Sequence, residues 1–312
     1  MPPARSEQTL GPRLPELRTV LLDLVLRVQI KRKAGREVTE EGLRKTAASF
    51  RDSAKEARMP ASITVAQLEV AGRPAEWVKT AEGGARVILY FHGGGFFFSS
   101  PREHRPIIWR LARATGRRVL AIDYRKAPDN AFPAWLDDAM AAYEHLLAEG
   151  VAPKDIVLSG DSAGGNMALA LVHRLRRLGR PLPDALVLFS PWADLTCGGR
   201  TYRTKHRRDA MFRGDGARSL GLFLTRSCDP YDPEVSPLNG DYRGFPRMLL
   251  FAGSTEIFLD DARSVVRKAA AASVDARLVV FRHMPHVFPM FSAIAPRAKQ
   301  AFPIIRDFIA ES

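Results

Sequence analysis

Cysteine is scarce in this 312-residue chain: Cys197 and Cys228 are its only two. Two thiols cannot build a disulfide framework or a four-cysteine zinc site, so free thiols in a reducing, cytoplasmic compartment are expected. Long apolar runs are also missing. The most apolar N-terminal segment, Val20 to Ile30, is interrupted by Asp23, Arg27 and Gln29, which excludes a stable membrane span and argues against a secretory signal. Acidic residues are few beside basic ones, 34 against 47, leaving a formal charge of +13. Such a balance can signal nucleic acid or an anionic surface as partner. Apart from Lys31-Arg32-Lys33 and the stretch Arg200 to Arg213 the basic residues are scattered. Zinc spacing, a helix-turn-helix signature and an aromatic RNA-binding motif are all lacking. A solvated basic surface and no nucleic-acid partner are therefore expected. The sequence has no internal repeat and no low-complexity linker.

What is present is enough apolar material, 46% of residues, for one large α/β unit with an appendage. Short apolar runs at Val87 to Phe91, Val119 to Ile122, Ile156 to Ser159, Ala185 to Phe189, Met248 to Ala252 and Arg277 to Phe281 read as strands buried on both faces. Helical patterns fall between them at Pro106 to Thr115, Pro133 to Glu149, Ala163 to Leu178 and Asp260 to Ala272, with a last helix near Ala298 to Ile309. Alternating strand and helix predicts a mostly parallel sheet flanked by helices. Ahead of them, Ile63 to Val70 and Ala75 to Thr80 predict an antiparallel hairpin at the sheet edge. Leu14, Leu17, Leu21, Leu24, Val25 and Val28 recur at helical spacing, which predicts an amphipathic helix, docked on its own protein in preference to a membrane. A second helix is expected over Gly42 to Met59, capped by Thr39. The stretch Ala193 to Gly244 breaks the alternation, and its length requires a helix of its own near Asp215 to Thr225.

Gly160-Asp161-Ser162-Ala163-Gly164 joins one of these strands to the next helix. Gly-x-Ser-x-Gly in that position is a sharp turn that projects a serine hydroxyl at the end of a sheet, with Ser162 as the nucleophile. The pattern alone is weak, since about 0.1 chance matches are expected in a chain this long. Upstream, His92-Gly93-Gly94-Gly95 follows another strand, where absent side chains let the N–H groups of Gly93 and Gly94 approach a developing oxyanion, with that of Ala163 as a third donor. A serine nucleophile needs a base and a carboxylate, in the chain order Ser, acid, His. His286, with His283 as the alternative, follows the last strand. Glu256 lies directly off the strand Met248 to Ala252, while Asp260 and Asp261 suit the first turn of the next helix, so Glu256 is preferred and Asp260 is the alternative acid. Phe96 and Phe97, with Phe98, follow the glycine loop as candidates for lining an apolar substrate pocket or for core packing.

These motifs resemble the hormone-sensitive-lipase-like branch of the α/β-hydrolases. Besides His92 to Gly95 and Gly160 to Gly164, the resemblance extends to Asp123-Tyr124-Arg125-Lys126-Ala127-Pro128-Asp129, to Ser190-Pro191-Trp192-Ala193-Asp194-Leu195 and to Met284-Pro285-His286. Many family members have Asp-Pro-Leu where this chain has Glu256-Ile257-Phe258. The resemblance implies hydrolysis of short- to medium-chain acyl esters through an acyl-enzyme, without metal or organic cofactor. It also implies a helical cap, made of residues 1–60 and a second segment 194–244, over a catalytic domain of 61–312, and a homodimer as a possible assembly.

Overall fold

The computed structural model describes residues 7–31, 38–53, 58–81 and 83–311. Its nine strands form one sheet: β1 (Glu7–Leu10), β2 (Ile63–Val70), β3 (Arg73–Thr80), β4 (Val87–Phe91), β5 (Arg118–Ile122), β6 (Ile156–Asp161), β7 (Ala185–Phe189), β8 (Arg247–Gly253) and β9 (Ala276–Phe281). They lie in the order β1-β9-β8-β7-β6-β4-β5-β3-β2. The β2–β3 and β3–β5 pairings are antiparallel and the others parallel. The sheet is flanked by α3 (Pro101–Thr115), α4 (Ala134–Ala148), α5 (Ala163–Arg177), α8 (Leu259–Ala271) and α9 (Ala301–Ala310), while α1 (Leu17–Leu26), α2 (Glu40–Ser53), α6 (Thr201–Thr204) and α7 (Gly214–Leu224) lie outside that alternation. This is the α/β-hydrolase fold, a mostly parallel central sheet flanked by helices.

The period-2 alternation of each central strand divides the interior into two cores. Val87, Leu89 and Phe91 of β4 pack on one side with residues of α4, α5 and α8, and Ile88 and Tyr90 on the other with residues of α3 and α9. Every residue of β4, β6 and β7 is buried, which explains why these strands are uninterrupted apolar runs in the sequence.

The differences from expectation sit at element ends and at the N-terminus. Strand β1 is too short and polar to show a period, and it is held by parallel pairing with β9. Helix α3 starts at Pro101 and carries Pro106 inside it. Helix α2 starts where the Thr39 hydroxyl accepts the Gly42 N–H at 3.1 Å, and it is described as far as Ser53; 54–57 lie outside the described residues. Helix α1 runs from Leu17 to Leu26 and continues as a π-turn over Arg27–Lys31. The expectation that its apolar stripe docks on the protein is overturned: Leu14, Leu17, Leu21, Leu24, Val25 and Val28 are exposed, and Thr19, Leu22 and Leu26 face inward.

The strand–turn–helix unit β6–α5 is set by close backbone approach. A Cβ on Gly164 would lie 2.0 Å from the Phe91 carbonyl oxygen, and one on Gly160 would lie 2.4 Å from the Gly164 carbonyl oxygen. Both contacts are with backbone, so no side-chain movement relieves them. Gly164→Ala is expected to cost about 1–3 kcal/mol or more through overpacking. Thermal denaturation checks this; an unchanged Tm would contradict it.

Candidate active site

Ser162 occupies the turn between β6 and α5 with φ 52 and ψ −116. A non-glycine residue pays on the order of 1–3 kcal/mol for such a backbone, and the surroundings must hold it there. They do so through three hydrogen bonds: the Ser162 N–H donates to the Phe189 carbonyl at 2.9 Å, and its own carbonyl accepts the N–H groups of Trp192 at 3.0 Å and Asn166 at 3.1 Å. The N–H of Ala163 opens α5 at the positive end of the helix dipole.

The loop after β8 and the loop after β9 bring Glu256 and His286 together. His286 Nδ1 lies 2.9 Å from Glu256 Oε2, with both side chains buried. That contact selects the tautomer with the proton on Nδ1. His286 Nε2 is buried and has no hydrogen-bond partner among the described residues. Burial raises the Glu256 carboxyl above its usual 4.5, opposed by its bond to His286. The imidazole is packed edge-on against Phe212 at 5.1 Å and tilted against Phe258 at 4.7 Å between ring centres. The alternatives are engaged elsewhere. His283 Nε2 lies 2.9 Å from the Arg13 carbonyl oxygen, Asp260 accepts the Thr201 N–H at 3.0 Å, and Asp261 accepts from the Asp194 N–H and the Tyr202 hydroxyl.

The glycine loop requires a correction. The Gly93 N–H donates to Asp161 Oδ1 at 3.0 Å, so it is turned inward and is not available to a substrate oxygen. Asp161 also accepts the Tyr90 hydroxyl at 2.6 Å and lies 3.2 Å from His104 Nε2. Burial opposes charge on His104, yet the charge of Asp161 and its hydrogen bond outweigh that and raise the His104 pKa. The next two residues, Gly94 at φ +112 and Gly95 at φ +58, carry the loop outward in conformations that favour glycine. Leu220 of α7 lies over Gly95, within 3.1 Å of where its Cβ would be. His92 braces the turn, stacked on Tyr124 at 4.2 Å with Nδ1 2.6 Å from the Gly93 oxygen. Burial lowers its pKa to about 4, so it is neutral at pH 7.

Phe96 is also corrected. It is fully buried and stacked on Trp135 at 4.9 Å, so it belongs to the core and offers no surface to a ligand. Phe97 is partly buried beside Phe98, which stacks on Phe50 of α2 at 4.5 Å.

Sequence reasoning missed Asp209. Buried in the stretch between β7 and β8, it accepts the N–H groups of Met211 at 2.7 Å, Phe212 at 2.9 Å and Ile257 at 2.8 Å. One carboxylate thus ties the loop of Glu256 to the residue packed on His286. Its only sequence signal was a lone acid in a basic run. Ser190, whose hydroxyl accepts the Val287 N–H at 3.0 Å, was missed as well. Among the described residues no group of three His, Cys, Asp or Glu side chains is arranged to hold a metal ion, and no helix is long and apolar enough to cross a membrane.

A fold of this type, with a positive-φ serine turn after β6 and a buried His–Glu pair in the loops after β8 and β9, is that of a hydrolase class. Residues 88–290 match the family model described as alpha/beta hydrolase fold. The chain is 37% identical over 235 residues to an acetyl-hydrolase of Streptomyces hygroscopicus, covering 75% of this chain and 79% of that protein. It is 36% identical over 248 residues to an esterase of Acinetobacter venetianus, covering 79% and 82%. A crystal structure of an esterase from the bacterial hormone-sensitive lipase family superposes with a TM-score of 0.86 at 37% identity, covering 96% of this chain and 99% of that one. The chain belongs to the alpha/beta hydrolase family, in its hormone-sensitive-lipase-like branch, and is an ester hydrolase.

Two outcomes follow from the buried carboxylates. Asp209→Ala should lower kcat about a hundredfold by letting the Glu256 loop shift; ester hydrolysis assays check this, and kcat at the wild-type value would contradict it. Burial, with the nearby Asp194 charge, raises Asp261 well above 3.8. A carboxyl raised on folding favours the folded state below its unfolded pKa and loses that contribution as pH rises towards its folded pKa. The Tm of Asp261→Asn relative to wild type should therefore increase between pH 4 and pH 7, and a constant difference would count against it.

Proposed function

We propose that Ser162, His286 and Glu256 act as a catalytic triad on carboxylic esters, with the N–H groups of Gly94, Gly95 and Ala163 as the oxyanion hole. The observation that carries this is the buried His286–Glu256 pair at 2.9 Å whose imidazole leaves Nε2 unpartnered. In this reading Ser162 Oγ attacks the ester carbonyl as His286 Nε2 takes its proton. The carbonyl oxygen becomes an oxyanion, and each preorganised donor to it lowers the barrier by about 2.7–4 kcal/mol. Glu256 holds the tautomer and stabilises the imidazolium. The tetrahedral intermediate collapses, His286 gives the proton to the leaving alcohol, and an acyl-Ser162 ester remains. Water, deprotonated by the same nitrogen, attacks that ester and releases the acid and free Ser162.

The substrates are short- to medium-chain acyl esters. Support comes from the apolar side chains around the glycine loop, Phe97 and Leu220, and from a nucleophile that is only 7% exposed, an arrangement better suited to a short acyl group than to a long one. Segments 1–60 and 194–244 act as the cap of the catalytic domain. Contacts from α2 to Phe98 and from α7 to Gly95 support that division. A cytoplasmic setting accords with two free cysteines, one of them buried. The homodimer implied by the family resemblance completes this reading, with sedimentation velocity as its check.

A series of p-nitrophenyl esters of increasing chain length tests the proposal. Wild type should favour the short members, and Ser162→Ala should lose on the order of 10⁶ in kcat. Retention of hydrolysis by Ser162→Ala, or a preference for the longest chains, would contradict it.

A further inference from the structure

A helix at the surface of a soluble protein normally turns its apolar stripe towards the core; α1 does the reverse. Leu17, Val20, Leu21, Leu24, Val25 and Val28 form a continuous outward stripe, each 46–74% exposed. With Leu14 they make up seven of the eleven exposed large hydrophobic residues among those described. A scatter of single exposed apolar residues is ordinary, whereas a contiguous patch marks a surface that something covers.

The charges around the stripe select the occupant. Arg13, Arg18, Arg207 and Arg208 are exposed, and no ion pair joins them to a carboxylate among the described residues. Elsewhere on the surface arginines are commonly paired, as with Arg44, Arg177 and Arg277. Arg207 and Arg208 adjoin the end of the helix, because Arg27 donates to their carbonyls at 2.8 and 2.6 Å. The two acids of the segment face away from the stripe: Glu16 pairs with Arg297 at 3.5 Å, and Asp23 is partly buried. A symmetric contact between two copies of this stripe would bring unpaired arginines of the two copies together in a chain of net charge +13. An apolar stripe bordered by unpaired guanidinium groups instead complements acyl chains beneath anionic headgroups.

We propose that α1 is an interfacial anchor that docks this enzyme on an anionic phospholipid surface, the stripe at the acyl boundary and the arginines on headgroup phosphates. The anchor is joined to the catalytic side of the molecule. Lys31, in the π-turn that continues α1, donates to the carbonyl of Asp209 at 2.5 Å, and the Asp209 carboxylate holds the loop of Glu256. Docking through α1 therefore presents the cap side of the protein to the lipid.

Co-sedimentation with phosphatidylcholine vesicles, with and without phosphatidylglycerol, tests this without depending on turnover. The full chain should partition onto the phosphatidylglycerol vesicles at low salt, be released by high salt, and remain free of pure phosphatidylcholine. Leu21→Glu/Leu24→Glu should abolish partitioning while hydrolysing soluble p-nitrophenyl butyrate at the wild-type rate, which shows that it is folded. Arg207→Ser/Arg208→Ser should weaken partitioning about thirtyfold. Failure of wild type to bind anionic vesicles at low salt, equal binding to pure phosphatidylcholine, or unaltered binding by Leu21→Glu/Leu24→Glu would overturn the proposal. Conversion of a wild-type dimer to a monomer by that variant would overturn it too, since the stripe would then be occupied by a second copy.

Discussion

Between β6 and α5 the backbone turns in a space that admits no side chain. The Phe91 carbonyl stands where a Cβ of Gly164 would be, and the Gly164 carbonyl stands where a Cβ of Gly160 would be. Close packing of strand, helix and neighbouring strand forces Ser162 into its positive-φ conformation, and the same crowding fixes the glycine loop at the end of β4. The position of Ser162 is therefore a steric consequence of how tightly three backbone segments meet. The surrounding hydrogen bonds hold a geometry that the glycines permit.

Around that turn, loops are held in register by buried carboxylates that accept backbone N–H groups. Asp161 holds the Gly93 end of the glycine loop, Asp209 joins the Glu256 loop to Phe212, and Asp261 fixes the Asp194 backbone. A buried acceptor with several donors is expensive to displace, because each unpaired N–H left behind costs about 1–3 kcal/mol. The site is preorganised by this means, and the rings of Phe212 and Phe258 pack directly on His286.

Much of this was legible in the sequence for a definite reason. Strands buried on both faces leave uninterrupted apolar runs, and a serine turn needs glycines at fixed offsets, so β4 to β9 and Ser162 carried local signals. Glu256, which lies against His286, stands out in the sequence because helix first turns attract Asp260 and Asp261, leaving it alone off the strand end. Gly93 was misassigned because a run of three glycines does not say which N–H turns inward; that depends on Asp161, which is 68 positions away. Asp209 had no period or motif to mark it, since its role exists only where two distant loops meet. The stripe of α1 was read as a docking face because a period of 3.6 identifies an apolar side without saying what it faces.

In the proposed reaction Ser162 becomes a nucleophile because His286, held by Glu256, can take its proton. The most direct measurement is mass spectrometry of the protein after reaction with a sulfonyl fluoride that captures activated serines. One adduct per chain is expected, located on Ser162 and lost in His286→Ala. An adduct on another residue, or equal labelling of Ser162 without the histidine, would contradict it.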